Sequence, residues 1–255
     1  MKMTGNTILI TGGGSGIGRG LAEAFHKLSN QVVIAGRRQS VLDETTSANP
    51  GMKSLTLDVE NGDAIKEFAT KVTAEFPALN VVINNAGSGQ FEDIAKDGID
   101  VKLVESAFTT NVLGPIRLTA ALLDHLKKQP QSTVANVTSG LAFLPLVWMA
   151  TYCSTKAALH SYTESLRYQL KDTSLEILEI APPYVQTHFG GEAQKADPRA
   201  MPLEAYIAET MEAFTSGGVD GEINVKNVNV LRYAEREGKY KDVFAYLNSE
   251  MAPKH

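Results

Sequence analysis

Short apolar runs alternate with longer stretches of helical periodicity, and this alternation limits the possible folds more than any other feature of the chain. Thr7–Thr11 (TILIT), Gln31–Ala35, Lys53–Leu57, Leu79–Asn84, Ser132–Thr138 and Leu175–Ala181 are brief, β-branched and mostly apolar at successive positions. A strand with one wet face would alternate apolar and polar residues. A strand apolar on both faces belongs in a parallel sheet covered by helices on both sides. Between these runs the spacing predicts helices over Ile17–Ser29, Asn61–Phe76, Val101–Lys128 and Tyr152–Lys171. Strand–helix–strand units of this kind cross over right-handedly and build an α/β fold with a doubly wound parallel sheet.

The length, 255 residues, suits one such domain. No Ser/Gly/Pro-rich linker and no internal repeat divides the chain, so residues 1–255 read as a single domain. After Ala181 the pattern loosens. Pro182-Pro183 breaks it, Gly190–Pro202 reads as a loop, and a helix is expected over Leu203–Thr215, so about 188–216 is the expected substrate loop and helix region. A net charge of −5 argues against nucleic acid, which requires a basic face. No apolar run reaches the ~18 residues of a spanning helix, and the N-terminus carries no apolar core of a leader. A single cysteine, Cys153, excludes an internal disulfide framework and points to a reducing, cytoplasmic setting. The five histidines show no metal-ligand spacing, so no metal is expected.

Thr11-Gly12-Gly13-Gly14-Ser15-Gly16-Ile17-Gly18 follows the first strand and opens the first helix. Glycines permit positive φ and close backbone approach, and a helix N-terminus offers free N–H groups to an anion. The spacing is GxxxGxG rather than GxGxxG. A merely flexible turn is the alternative, and the position between strand and helix weighs against it. The second strand ends in Ala35-Gly36-Arg37-Arg38, and no carboxylate follows until Asp43. A carboxylate there would hold the ribose hydroxyls of NAD, whereas arginine can bind a 2′-phosphate through two parallel hydrogen bonds. The expected cofactor is therefore NADP(H), with NAD(H) less favoured. Arg37 is better placed than Arg38, and the alternative is that both are solvated surface charges.

Tyr152-Cys153-Ser154-Thr155-Lys156 puts a phenol and an ammonium on one helix face, where the cation favours the phenolate. Alone, that pair is equally a packed Tyr and a surface Lys. However, Ser139 ends the Ser132–Thr138 run, Asn84-Asn85-Ala86-Gly87 closes Leu79–Asn84, and Asp58 follows Lys53–Leu57. All fall at carboxyl ends of strands, where ligands of doubly wound sheets bind. Leu141, Phe143, Leu144, Leu146, Val147 and Trp148 suggest an apolar substrate wall. Packing accounts for His160, four residues past Lys156.

TGGGSGIG, NNAG, Asn111, Ser139 and YCSTK together resemble the short-chain dehydrogenase/reductase family in its single-domain Rossmann-fold form, over about residues 5 to 190. Pro182-Pro183-Tyr184-Val185-Gln186-Thr187 and the Met201–Met211 segment resemble its DltE-like subgroup. The resemblance implies an oxidoreductase interconverting a carbonyl and an alcohol. Tyr152 would exchange the proton, Lys156 would lower the Tyr152 pKa and bind the nicotinamide ribose, Ser139 would steady the carbonyl oxygen, and Asn111 would hold a relay water. Gly12, Ser15, Gly16, Ile17 and Gly18 would line the pyrophosphate. Asp58 and Val59 would contact adenine, and Asn85, Ala86 and Gly87 would flank the adenosine ribose. Pro182, Val185 and Thr187 would border the nicotinamide. The implied partners are a small carbonyl or alcohol substrate and a second copy of the chain, as a homodimer. An NADP-binding sensor with little turnover is the alternative. Two positions depart from the family: Pro183 stands where Gly is common, and Ser15 where NADP-preferring members often carry a base.

Overall fold

The six apolar runs become strands in the computed structural model, which describes residues 1–252. In chain order the elements are β1 (Thr7–Thr11), α1 (Gly16–Lys27), β2 (Gln31–Gly36), α2 (Gln39–Ala48), β3 (Lys53–Thr56), α3 (Gly62–Glu75), β4 (Leu79–Asn84), α4 (Ile94–Asp97), α5 (Val101–Phe108), α6 (Gly114–Lys128), β5 (Ser132–Val137), α7 (Ala150–Leu170), β6 (Leu175–Ile180), α8 (Glu192–Ala196), α9 (Leu203–Ser216), β7 (Glu222–Ile223), α10 (Asn229–Arg232) and α11 (Tyr240–Glu250). The sheet order is β3-β2-β1-β4-β5-β6-β7, and every ladder is parallel. The chain winds one way from β1 to β3, then returns to β4 and winds the other way. The switch lies between β1 and β4, and a crevice opens there at the carboxyl ends.

Side-chain alternation along each strand sorts the core into two layers. Ile8, Ile10 and Ile34 pack with Leu21 and Phe25 of α1 and Phe214 of α9. Leu9, Val33 and Val82 pack on the opposite face with Phe68 of α3 and Leu118 and Leu122 of α6. Phe25 and Phe214 meet edge-on at 5.4 Å. Full burial of one such side chain contributes about 1.5–3 kcal/mol, so the central strands are the most firmly held part of the molecule.

The expected strand bounds agree with those observed to within a residue. The predicted helices agree to within two, apart from Val101–Lys128. That helix is interrupted by a π turn, Thr109–Leu113, between α5 and α6. Pro115 has no N–H to return to Asn111 and Gly114 N–H reaches back to Thr109 O, so the turn widens by one residue. Two further differences lie near the cleft. Gln39–Ala48 is helical, and Gly190–Pro202 is not wholly loop, because α8 occupies part of it. In the tail, β7 adds a seventh strand beside β6.

Candidate active site

The glycine loop folds over the end of β1. Gly12 N–H donates to Ala35 O at 2.7 Å, and Gly12 and Gly16 have φ of +67° and +53°. A Cβ on Gly18 would run into Asn85 Nδ2 and Gly12 O. Thr11 Oγ1 accepts the Asn85 and Ala86 N–H groups, both at 3.0 Å, which ties the end of β4 to that of β1. Ser15 precedes α1 without capping it, and the first turn carries no acidic residue. The first N–H groups of α1 therefore face the cleft with no competing side-chain acceptor. The cleft is about 910 Å³ and reaches past Arg37, Arg38, Asp58 and Val59 at one end and Val185 and Thr187 at the other. Its glycine cradle, uncapped helix and two arginines fit a dinucleotide carrying phosphate charge.

The proton-handling groups enter the same cleft from β5 and α7. Ser139 follows β5, where its Oγ accepts the Leu141 N–H at 3.1 Å. Tyr152 and Lys156 lie one turn apart on α7, with Lys156 Nζ 5.6 Å from the Tyr152 ring centroid. Burial pushes the Tyr152 phenol well above its ordinary 10, against the opposing hydrogen bond to Ser139. Lys156 is also buried, and burial lowers its pKa to about 8. Its ammonium donates to Val137 O at 2.8 Å, which fixes the head group at the end of β5. Asn111 is fully buried in the π turn, behind the cleft wall. It accepts Ser88 N–H at 2.8 Å and donates to Ser88 O at 2.8 Å and Thr155 Oγ1 at 3.0 Å, which clamps the strand-β4 loop to α7. A Cβ on Gly87 would lie 3.2 Å from Asn111 Oδ1 and 3.6 Å from Lys156 Nζ, so glycine there lets both groups approach.

A model of the short-chain dehydrogenases matches residues 6–198, most of the chain. The chain belongs to the short-chain dehydrogenase family. The "Uncharacterized oxidoreductase DltE" of Bacillus subtilis is 38% identical across 98% of this chain and 99% of its own length, and the chain groups with DltE-like oxidoreductases. The "NADP-dependent 3-hydroxy acid dehydrogenase" of Schizosaccharomyces pombe is 33% identical over 77% of this chain and 80% of that one. The solved structure of a short-chain dehydrogenase from Burkholderia cenocepacia in complex with NADP superposes with a TM-score of 0.82, at 20% identity, covering 99% of this chain and 100% of that one. This short-chain dehydrogenase is thus an oxidoreductase of hydroxyl and carbonyl groups.

Every cofactor-site residue anticipated from the sequence lines the cleft of this short-chain dehydrogenase, as do Ser139, Tyr152 and Lys156; Asn111 stands behind it. The expected apolar wall is not there. None of Leu141, Phe143, Leu144, Leu146, Val147 and Trp148 lines the cleft. Leu144 and Leu146 are buried, and Phe143 packs on His160 and Arg232. Phe189 instead covers the catalytic end, with its ring 5.5 Å from that of Tyr152. Gly89 permits this approach, since a Cβ there would sit 2.7 Å from Tyr152 Cδ2 and 3.0 Å from Phe189 Cζ. Glu60 also escaped sequence reading. It accepts from Thr110 Oγ1 at 2.8 Å and stands 3.6 Å from Arg37 Nη1. Glu92 is a third such residue, accepting both the N–H and the hydroxyl of Thr151 at 2.8 Å, next to Tyr152 at the start of α7. Periodicity gave no signal for any of the three, because each acts through contacts between loops and helices distant in sequence.

Among the described residues, no group of three or more His, Cys, Asp or Glu side chains is arranged to hold a metal. Among them also, no helix is long and apolar enough to cross a membrane.

Proposed function

We propose that the chain is an NADP(H)-dependent oxidoreductase that interconverts a small carbonyl compound and its alcohol, with Tyr152 exchanging the proton. The observation that carries this reading is the meeting of Ser139, Tyr152 and Lys156 with the glycine loop in one cleft. The cofactor, when bound, supplies or accepts the hydride. Tyr152 keeps its proton at neutral pH, because a phenol ordinarily titrates near 10 and burial raises that further, so its hydroxyl serves as the acid in reduction. Ser139 Oγ orients the carbonyl oxygen beside it. Lys156, held by Val137 O, supplies positive charge near the phenol. Phe189 presents an apolar face over the reacting end and helps exclude water.

The choice of NADP(H) rests on Arg37 and Arg38 in the cleft, with no carboxylate ending β2. The Arg37–Glu60 pair at 3.6 Å is partly exposed and holds Arg37 by no more than about 1 kcal/mol. Charge-assisted bonds to a 2′-phosphate are stronger and can recruit it. The NADP-dependent relative from Schizosaccharomyces pombe supports the same reading. The proposal extends to a homodimer, for which exposed Val101, Leu113 and Tyr168 offer apolar surface, and to a cytoplasmic setting that suits the single buried thiol.

The test is a fluorescence titration with NADPH and NADH, followed by cofactor consumption against a panel of aldehydes and ketones. Tighter binding of NADPH with turnover of a carbonyl is expected. Tight binding with no turnover across the panel favours a cofactor-binding protein without catalysis, and NADH bound more tightly overturns the phosphate assignment.

A further inference from the structure

Glu179, on β6, is a fully buried carboxylate outside the cleft. A buried carboxylate needs a compensating partner. Thr138 Oγ1 donates to it at 2.6 Å, and His160 Nδ1 lies 2.8 and 3.0 Å from its two oxygens. Among the described residues, His160 is the only cation within ion-pair distance. The carboxylate only accepts, so the ring nitrogen facing it carries the proton. Phe143 meets the His160 ring edge-on at 4.7 Å. His160 thus holds both flanks of Ser139: Thr138 through Glu179, and Phe143 directly. One turn earlier on the same helix, Lys156 holds Val137 O. Between the flanks, Leu141 N–H donates to Ser139 Oγ at 3.1 Å and Ala142 N–H to Ser139 O at 2.9 Å.

We infer that His160 is a positioning residue: as imidazolium it holds Glu179, the end of β5 and the Ser139–Phe143 turn through a charge-assisted bond, and on losing its charge it keeps only a neutral N–H donor, so its hold on that turn loosens. The inference depends on the proposed function only for the consequence, that the group loosened is the one orienting the carbonyl oxygen. The charged groups around the ring come from several elements. Glu179 faces it from β6, and Glu164 on α7 lies 3.6 Å from Nε2. Arg232 on α10 stacks on the same Phe143 at 4.4 Å and is paired with Glu222 of β7, whose register partner is Glu179. Burial works against the imidazolium, and Arg232 does so more weakly. The hydrogen bond and charge of Glu179, with Glu164, outweigh both and raise its pKa above the ordinary 6.5. A raised histidine pKa means that its support is complete below 6.5 and is lost as pH rises through the folded-state value.

The experiment is amide hydrogen exchange on the cofactor-free protein between pH 6 and pH 9, corrected for intrinsic rates. Protection at Leu141, Ala142 and Phe143 is expected to fall about tenfold for each unit by which the ring's pKa is raised, while β1 amides keep theirs. His160→Gln, a neutral donor with no proton to lose, is expected to lack the wild-type step and to start at the lower protection that the wild type shows above that step, with any change near pH 8 assigned to Lys156 on Val137 O. A wild-type profile without a step, or a step at the same midpoint that survives His160→Gln, overturns the inference. If that variant does not fold, the imidazole titration followed by NMR in the wild type must share its midpoint with the Leu141 step, and different midpoints overturn it equally. Failure of every carbonyl to react would sink the proposed function and leave these profiles unchanged, so the two failures are separable.

Discussion

At the residue scale, two side chains on one helix turn carry opposite consequences for stability and function. Tyr152 is half-buried in the cleft lining as a neutral phenol, so its replacement by Phe preserves the packing against Phe189 and removes only the transferable proton. Tyr152→Phe is expected to lower kcat by about 10²- to 10⁴-fold with NADPH affinity nearly unchanged. Single-turnover kinetics beside a fluorescence titration check this, and retained turnover would remove Tyr152 from the mechanism. Lys156 is different, because its buried ammonium costs the fold stability. Its pKa falls from 10.5 to about 8, so below pH 8 the native state carries a charge that the unfolded chain solvates better. That differential amounts to about 3 kcal/mol, and it disappears as pH rises from 8 to 10.5, where the unfolded chain binds more protons than the native one. Lys156→Met is therefore expected to melt at a higher temperature than the wild type at pH 7, to lose that advantage by pH 10.5, and to lose turnover. A lower melting temperature at pH 7 would show that the bond to Val137 O outweighs desolvation.

At the scale of elements, the π turn between α5 and α6 is where sequence reading and structure part most instructively. Asn111 lies inside the run whose spacing predicts one helix over Val101–Lys128, yet nothing in that periodicity locates the extra residue that turns it inward. Removal of its amide in Asn111→Leu leaves Ser88 without partners for both backbone groups. Ser88 is half-buried and lines the cleft, so water offsets part of the about 1–3 kcal/mol that each unpaired buried group costs; a loss of about 2 kcal/mol is expected, read as a lower denaturation midpoint at constant m-value. A loss below 1 kcal/mol would mean that the Gly87–Glu92 loop is held elsewhere. The central strands and their helices were legible because burial on both faces leaves an unbroken apolar signature. The glycine loop, Arg37 and Ser139 were legible because parallel strands place their carboxyl ends at one edge. Helix α2 was missed because it buries only Leu42 and Thr45, and α11 because it buries nothing. An element that contributes little to the core leaves little pattern. Phe143 was misassigned for the converse reason. Apolar character marks it for contact but does not distinguish a substrate wall from the His160 and Arg232 side chains on which it packs.

At the scale of the molecule, the cleft joins the two halves of the sheet. Its walls come from β1 and β2 on one side of the switch and from the loop after β4, β5, α7 and the Pro182–Thr187 segment on the other. A dinucleotide filling it contacts both halves, so its binding energy adds to the cooperativity of the whole fold rather than to one loop. A ligand that binds only the native state stabilises it by about 2.7 kcal/mol at a hundredfold excess over Kd. For a chain of this length each kcal/mol moves Tm by about 2–4 °C, so NADPH at that level is expected to raise it by roughly 5–10 °C. NADH at the same concentration is expected to raise it less, because it leaves Arg37 and Arg38 without a phosphate to bind. Arg37→Asp puts a carboxylate where the 2′-phosphate is expected and should reduce the NADPH shift to the size of the NADH shift or below. Thermal melts of both proteins with both cofactors check this directly. Equal shifts in the wild type, or an NADPH shift that Arg37→Asp leaves intact, would place the basis of cofactor choice elsewhere than at the end of β2.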